Sequence, residues 1–336
     1  MKANNEKVVV FEKWQKIGQF HNIRKRIEEA VDYRRTIGES PEYPVISYRG
    51  KIKLDGTNAA IRVVWGQFAV QSRSRFITVE DDNYGFASFA EDVRDWVYHI
   101  ACGTTELSVY GEWCGVGIQK RCSVSKCKRM FVVFAVVLDG KRVVDPALLR
   151  QLLGELPQGV YILGWYGETV TIDFGNEDSV VDNVNVMCQI VEEVETCDPW
   201  VQEQFGVEGL GEGLVYYTTK VVNGHAMPED LDRLFKAKGE KHQNVRQLKP
   251  VLTSPEFVAT TDAFVLKFVT EERMRQALIE LGIETPSTQD TGAFLKWIGN
   301  DVRSESSDER MISNIEWSHV AKKVSRHAKN WLFAKL

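Results

Sequence analysis

Apolar positions along the chain change rhythm near residue 245. From about residue 45 to 220 they come in short runs bounded by turn residues, the signature of strands. Ile46–Val64 is strand-like, and within it Ala60–Trp65 meets Phe68–Ser72 across a Gly66-Gln67 turn. Phe131–Leu138 and Lys141–Val144 flank Asp139-Gly140, a two-residue loop that favours a type I′ hairpin. Leu107–Trp113, Val160–Tyr166, Thr169–Phe174 and Leu214–Thr219 supply further strands. Helical spacing interrupts at Gly18–Arg35, Ser88–His99 and Pro146–Leu153, the last opening with proline at a helix start.

Beyond residue 245 the spacing is helical throughout. Thr261–Leu281 carries Phe264, Val265, Phe268, Met274, Leu278 and Leu281 at helical intervals, and Thr288–Val302 and Ser307–Leu336 continue the pattern. In the last segment Val320, Val324, Ala328 and Trp331 form an apolar stripe, with Lys322, Arg326 and Lys329 on another face. Gln247–Thr261, containing Pro250 and Pro255, reads as a linker. The prediction is an α+β chain. A domain of antiparallel sheets with flanking helices spans 1–246, and a small all-helical domain spans 247–336.

Composition narrows the function classes. The chain has 336 residues, 43% hydrophobic and 26% charged, with no apolar run approaching the roughly 18 residues of a membrane span. The polar start, Met1 to Lys7, matches neither a secretory nor a transit segment. Six cysteines show no disulfide framework, so free thiols and an intracellular, cytoplasmic setting are expected, whether cellular or viral. A net charge of −5 excludes a generally basic nucleic-acid coat. Two local basic patches remain, one from Lys120-Arg121 to Lys128 and Arg129, the other along Trp317–Leu336.

The chemistry is concentrated in an ordered set of short motifs. Lys53-Leu54-Asp55-Gly56 places a lysine two residues before an Asp-Gly turn, where an amine could serve as a nucleophile. Arg73 follows at a strand end. Glu112 lies in Tyr110-Gly111-Glu112-Trp113-Cys114-Gly115, and Phe134 sits inside an apolar strand. Then come Gly211-Glu212-Gly213-Leu214 and Phe235-Lys236-Ala237-Lys238. Each element alone is commonplace; their order is the signal.

That order resembles the covalent nucleotidyltransferase superfamily, and most specifically the RNA ligase 2 family of phage and kinetoplastid-editing ligases. The resemblance extends through Gly56-Thr57-Asn58, through Gly111 to Gln119, and to Phe268-Val269-Thr270-Glu271-Glu272-Arg273 at the start of the helical segment. It implies an ATP-dependent RNA ligase that joins 3′-OH and 5′-phosphate RNA ends through lysyl-AMP and adenylylated RNA, in repair or nick sealing. ATP and Mg²⁺ or Mn²⁺ are the implied cofactors, and a monomer without membrane association is expected. Lys53 would be the nucleophile, with Glu112, Glu212, Lys236 and Lys238 completing the catalytic set. Lys51, Ile52, Asp55, Asn58, Arg73, Glu112, Phe134, Lys236 and Lys238 would surround ATP, Phe134 stacking on adenine. Glu212, rather than nearby Glu208, would hold the metal. Asn58, Arg73, Lys322, Arg326 and Lys329 would meet RNA. Lys51, Lys236, Lys238 and the metal are expected to lower the pKa of Lys53 towards a neutral amine.

Other readings are a DNA ligase or capping-type guanylyltransferase, and a catalytically idle nucleic-acid-binding relative. Those two enzyme classes carry an OB-fold where this chain has helices. An idle site has no need of Lys53, Glu112, Glu212, Lys236 and Lys238 together. A P-loop kinase lacks its Gly-x-x-x-x-Gly-Lys-Ser/Thr run here.

Overall fold

A computed structural model of the protein describes residues 9–223, 234–237, 255–307, 310 and 315–335. These fall into two compact units, one drawn from residues 1–79 and 84–242 and one from residues 80–83 and 243–336, which carries the later helices.

In the first unit, helix α1 (Phe20–Thr36) precedes strands β1 (Val45–Ile52), β2 (Thr57–Val64), β3 (Gln67–Gln71) and β4 (Phe76–Ile77). Helices α2 (Phe86–Asp92) and α3 (Arg94–Ile100) lead to β5 (Glu106–Cys114), β6 (Met130–Leu138) and β7 (Lys141–Val143). Helix α4 (Pro146–Leu153), strands β8 (Val160–Ile162) and β9 (Tyr166–Asp173), and helices α5 (Glu177–Thr196) and α6 (Pro199–Phe205) follow. Strands β10 (Leu214–Val222) and β11 (Leu234–Ala237) complete the described part.

The strands form two sheets, ordered β11-β10-β1-β9 and β4-β3-β2-β5-β6-β7, with β8 alongside β6. Pairing is antiparallel except between β6 and β8. Strand β6 shows why its sequence is apolar without alternation: both of its faces are covered. Phe131, Val133 and Val136 enter one core, whereas Met130, Val132, Phe134 and Ala135 enter the other. Two consecutive residues on one side mark a bulge. The register confirms it, since Tyr110 faces Ala135 and Gly111 faces Val133, leaving Phe134 without a residue opposite.

Helix α1 buries Ile23, Ile27 and Val31, four residues apart, in the core that also takes Ile46, Tyr48 and Ile52 of β1. Helix α5 starts at Asn176, whose side chain accepts the Ser179 amide, and buries Val180, Met187, Val191 and Val194. Helix α6 is capped by Asp198, begins with Pro199 and stops at Gly206 in the left-handed conformation.

The second unit contains α7 (Pro255–Phe268), α8 (Glu271–Glu280), α9 (Thr291–Glu305) and α10 (Trp317–Phe333) around their own core. On α10 the fully buried positions are Val320, Val324, Ala328 and Leu332, spaced by four. Trp331, expected in that stripe, is half-buried and stacks on Phe294 at 6.0 Å.

Several predicted boundaries are corrected. Ile46–Val64 is two strands broken at Lys53–Gly56, and Ser88–His99 is two short helices meeting at Val93. Thr261–Leu281 is also two helices, because Thr270 caps the second by accepting the Arg273 amide. Helix α7 begins at Pro255 and so occupies the later part of the expected linker; residues 247–254 lie outside the described residues. Among the described residues no helix is long and apolar enough to cross a membrane.

Candidate active site

The break between β1 and β2 builds the site. The Lys53 amide donates to the Gly213 carbonyl at 2.8 Å, extending the β1–β10 ladder by one step beyond the Ile52–Leu214 pair. This sets Lys53 beside the residue before Gly213. The Lys53 ammonium donates to Glu212 Oε2 at 2.5 Å, an ion pair between side chains 25% and 10% exposed. Gly56 closes the turn against β5. A Cβ there would lie 2.5 Å from the Trp113 carbonyl oxygen and 2.7 Å from Cys114 Cβ, so close approach is what demands glycine. Gly56→Ala should therefore lower stability by about 1–3 kcal/mol, the scale of overpacking a close-packed site. Denaturant unfolding of the variant beside the parent chain measures it.

Glu112 leaves β5 directly across from Asn58 of β2. Burial pushes its carboxyl up to about 8; Glu212 and Asp55 push the same way, while Lys53 and Arg73 oppose. The raised pKa makes Glu112 readier than an ordinary glutamate to carry a proton, and so to donate as well as accept. Lys53 feels the same cluster with opposite sign. Burial alone would lower its pKa, but Glu212, Glu112 and Asp55 outweigh burial and hold it above the ordinary lysine range. Among the described residues carboxylates rather than cations dominate around the amine, opposite in direction to the expected depression. Cys114 and Cys122 lie in the same acidic surroundings. Burial first, then acids including Asp55, raises both thiols, which marks them as packing residues rather than nucleophiles.

Lys51 does not face Lys53. Its ammonium donates to the carbonyls of Phe134 at 2.8 Å and Val144 at 2.6 Å. Lys236 on β11 pairs with Val215 of β10, and Val215 with Lys51 of β1, so the three form one cross-strand row on one sheet face. Lys238 lies outside the described residues. Phe134 is 9% exposed, its ring 5.0 Å from that of Trp14. Ile52 is buried, Asn58, Asp55 and Arg73 are half-buried, and Glu208 is exposed. Lys322, Arg326 and Lys329 are exposed on α10, and Lys329 lies 5.0 Å from the Phe333 ring centre. In the basic loop, Arg129 is committed to the Val116 and Tyr84 carbonyls and Lys126 to that of Glu208.

Sequence reasoning assigned no structural part to the segment before α1. The Val10 carbonyl accepts from Arg62, and the Glu12 carbonyl from Gln71 and Tyr110. Trp14 then packs between the rings of Tyr110 and Phe134. No periodicity in residues 9–18 announces this strap, because backbone carbonyls make most of its polar contacts.

The Lys53 amine thus stands at a strand break among acids from β5, from the turn itself and from the residues just before β10. The chain belongs to the RNA ligase family, whose model matches residues 48–238. Similar solved structures include three of a Naegleria gruberi RNA ligase. One is with PPi (TM-score 0.43, 16% identity, covering 70% of this chain and 59% of that one). A variant with ATP and Mn gives 0.44, 16%, 70% and 58% in the same order. A variant with AMP and Mn gives 0.43, 17%, 70% and 59%. This chain therefore spans less than two thirds of the length of those structures. No curated protein matches it.

Proposed function

We propose that this protein is an ATP-dependent RNA ligase working through a lysyl-AMP at Lys53. The observation that carries the reading is the Lys53–Glu212 pair at the β1–β2 break, with Glu112 and Asp55 acting on the same ammonium. In the first step Lys53 Nζ sheds a proton, for which Glu212 is the acceptor in contact, and attacks the α-phosphorus of ATP. An N–P bond forms, the bond to the β-phosphate oxygen breaks, and pyrophosphate leaves. AMP then passes to an RNA 5′-phosphate, and an RNA 3′-hydroxyl displaces it to close the strand.

In this reading Phe134 stacks on the base and Glu112 accepts hydrogen bonds from the ribose hydroxyls. Asn58 and Arg73, beside Glu112, serve the phosphates and the RNA end, and Lys236 and Lys238 the charge of the leaving pyrophosphate. The exposed Lys322, Arg326 and Lys329 of the helical unit would engage RNA phosphates. The donor set suits a hard divalent cation, since Glu212 and its neighbours offer oxygen ligands in excess of the local positive charge. Among the described residues no three such side chains converge on one point, so one or two carboxylates and the substrate phosphates would share the ion. When bound, Mg²⁺ or Mn²⁺ would offset triphosphate charge and weaken the hold of Glu212 on Lys53.

Incubation with α-labelled ATP and Mg²⁺ or Mn²⁺, followed by denaturation, tests the reading. The chain is expected to retain label from ATP and not from GTP. Label from GTP alone would turn the assignment to a capping-type enzyme, and label from neither nucleotide to an idle relative.

A further inference from the structure

Lys51 is a buried cation that the proposed reaction leaves without a task. Its side chain is fully buried. Besides the Phe134 and Val144 carbonyls, its ammonium lies 4.9 Å from the centre of the Trp165 ring and 5.2 Å from that of Tyr217. No carboxylate is among these partners. Asp145, the acid that acts on it electrostatically, has Oδ2 engaged by Trp165 Nε1 at 3.2 Å. Burial pulls the Lys51 pKa down to about 7, against the opposing charge of Asp145, the direction expected of a buried cation with no carboxylate in contact. A buried cation held only by carbonyls and rings is an expensive way to fill space; a methionine would fill it without that cost.

The carbonyls explain the choice. Phe134 is the bulged residue of β6, the one position where the β5–β6 ladder skips a partner, so its backbone is left unpaired by that ladder and open to an outside contact. Lys51 provides that contact from β1, in the other sheet, two residues before Lys53. Val144, the second acceptor, follows β7 and so fixes the neighbouring edge of the same sheet. One ammonium therefore sets the distance between the strand end bearing Lys53 and the bulge bearing Phe134.

We infer that Lys51 is a positioning residue for the lysine-adenylylation step, locking the Phe134 bulge to the strand that presents Lys53. The inference rests on the function proposed above, with Lys53 as nucleophile and Phe134 as the base platform. Small displacements between a nucleophile and its target are costly in rate, so the lock acts on the maximal rate more than on ATP affinity.

The test uses the full chain, α-labelled ATP and Mg²⁺ or Mn²⁺, with single-turnover labelling followed against ATP concentration. Lys51→Met, which keeps the stem and removes the ammonium, should lower the maximal labelling rate by about ten- to a hundredfold. Half-saturating ATP should change by less than about threefold, and the thermal midpoint should stay near that of the parent. Combined with Phe134→Ala, it should add little to the loss caused by Phe134→Ala alone, because without the ring the Lys51 contact to the Phe134 carbonyl has no base platform left to aim. Parent-like labelling by Lys51→Met, strictly multiplicative losses, or a rate loss tracking a collapsed thermal midpoint would each overturn the inference. A parent chain that takes no label overturns the functional reading itself, and this one with it.

Discussion

Lys53→Ala should retain no label from α-labelled ATP, a loss of about 10³-fold or more, as expected when a sole nucleophile is removed. Lys53→Arg should be equally silent. A guanidinium keeps the positive charge that Glu212, Glu112 and Asp55 face, yet does not offer a neutral nitrogen near neutral pH. The pair of variants separates two roles of the side chain. If the ammonium served only to neutralise the acids, arginine would restore function; if the amine attacks phosphorus, it would not. Thermal unfolding belongs beside the labelling, because Lys53→Ala leaves Glu212, 8% exposed, without its ion-pair partner. A second readout follows from the order of steps. RNA already carrying a 5′-adenylate needs no lysine nucleophile, so Lys53→Ala should still seal such ends without ATP. Labelling of Lys53→Ala at the parent level would sink the assignment of the nucleophile.

The parts of this site legible in the sequence are those set by local chemistry. A lysine before an Asp-Gly turn, a glutamate among glycines on a strand, and an aromatic in an apolar run can each be named without coordinates. The strand character of β5, β6 and β10 was also legible, because burial on one or both faces writes itself into the apolar pattern. Helices α5 and α6 were not predicted at all. Only Val180, Met187, Val191, Val194 and Glu195 of the 20 residues in α5 are buried, so its apolar stripe is thin and Asn183 and Asn185 dilute it. The bulge at Phe134 was invisible because both faces of β6 are apolar, so a one-residue slip leaves no trace in hydrophobicity. The contacts of Lys51 were illegible for a related reason. Lysines two apart in a strand-like run are expected on one face, but sequence cannot tell that the strand stops at Ile52 and that one ammonium finds carbonyls and the other a carboxylate. The electrostatics of Lys53 changed sign on that account: charges remote in sequence, at 112 and 212, outweigh the lysine two positions away.

Glu212→Ala should lower lysine adenylylation by about a hundredfold or more, the scale of losing a preorganised charge at a reacting centre. Glu208→Ala should leave it within about twofold of the parent, as surface substitutions usually do. The two glutamates stand in similar Glu-Gly contexts, yet their surroundings differ. The Glu208 side chain is exposed and only its backbone carbonyl is engaged, by Lys126 at 3.0 Å, which alanine preserves. The Glu212 carboxylate is buried and holds the amine that must react. Its removal has two opposing consequences. Lys53 loses its proton acceptor and its positioning contact, and the site loses a metal-side oxygen, all of which slow the reaction. The amine also loses the largest charge raising its pKa, so burial gains ground and its pKa moves down, which favours the neutral form. A unit of pKa is worth at most about tenfold in neutral amine below that pKa, less than the loss expected from the other effects. The pH profile separates them: the residual rate of Glu212→Ala should level off at a lower pH than the parent rate. Equal losses in the two variants would remove Glu212 from the reacting centre, and a greater loss in Glu208→Ala would reverse the assignment.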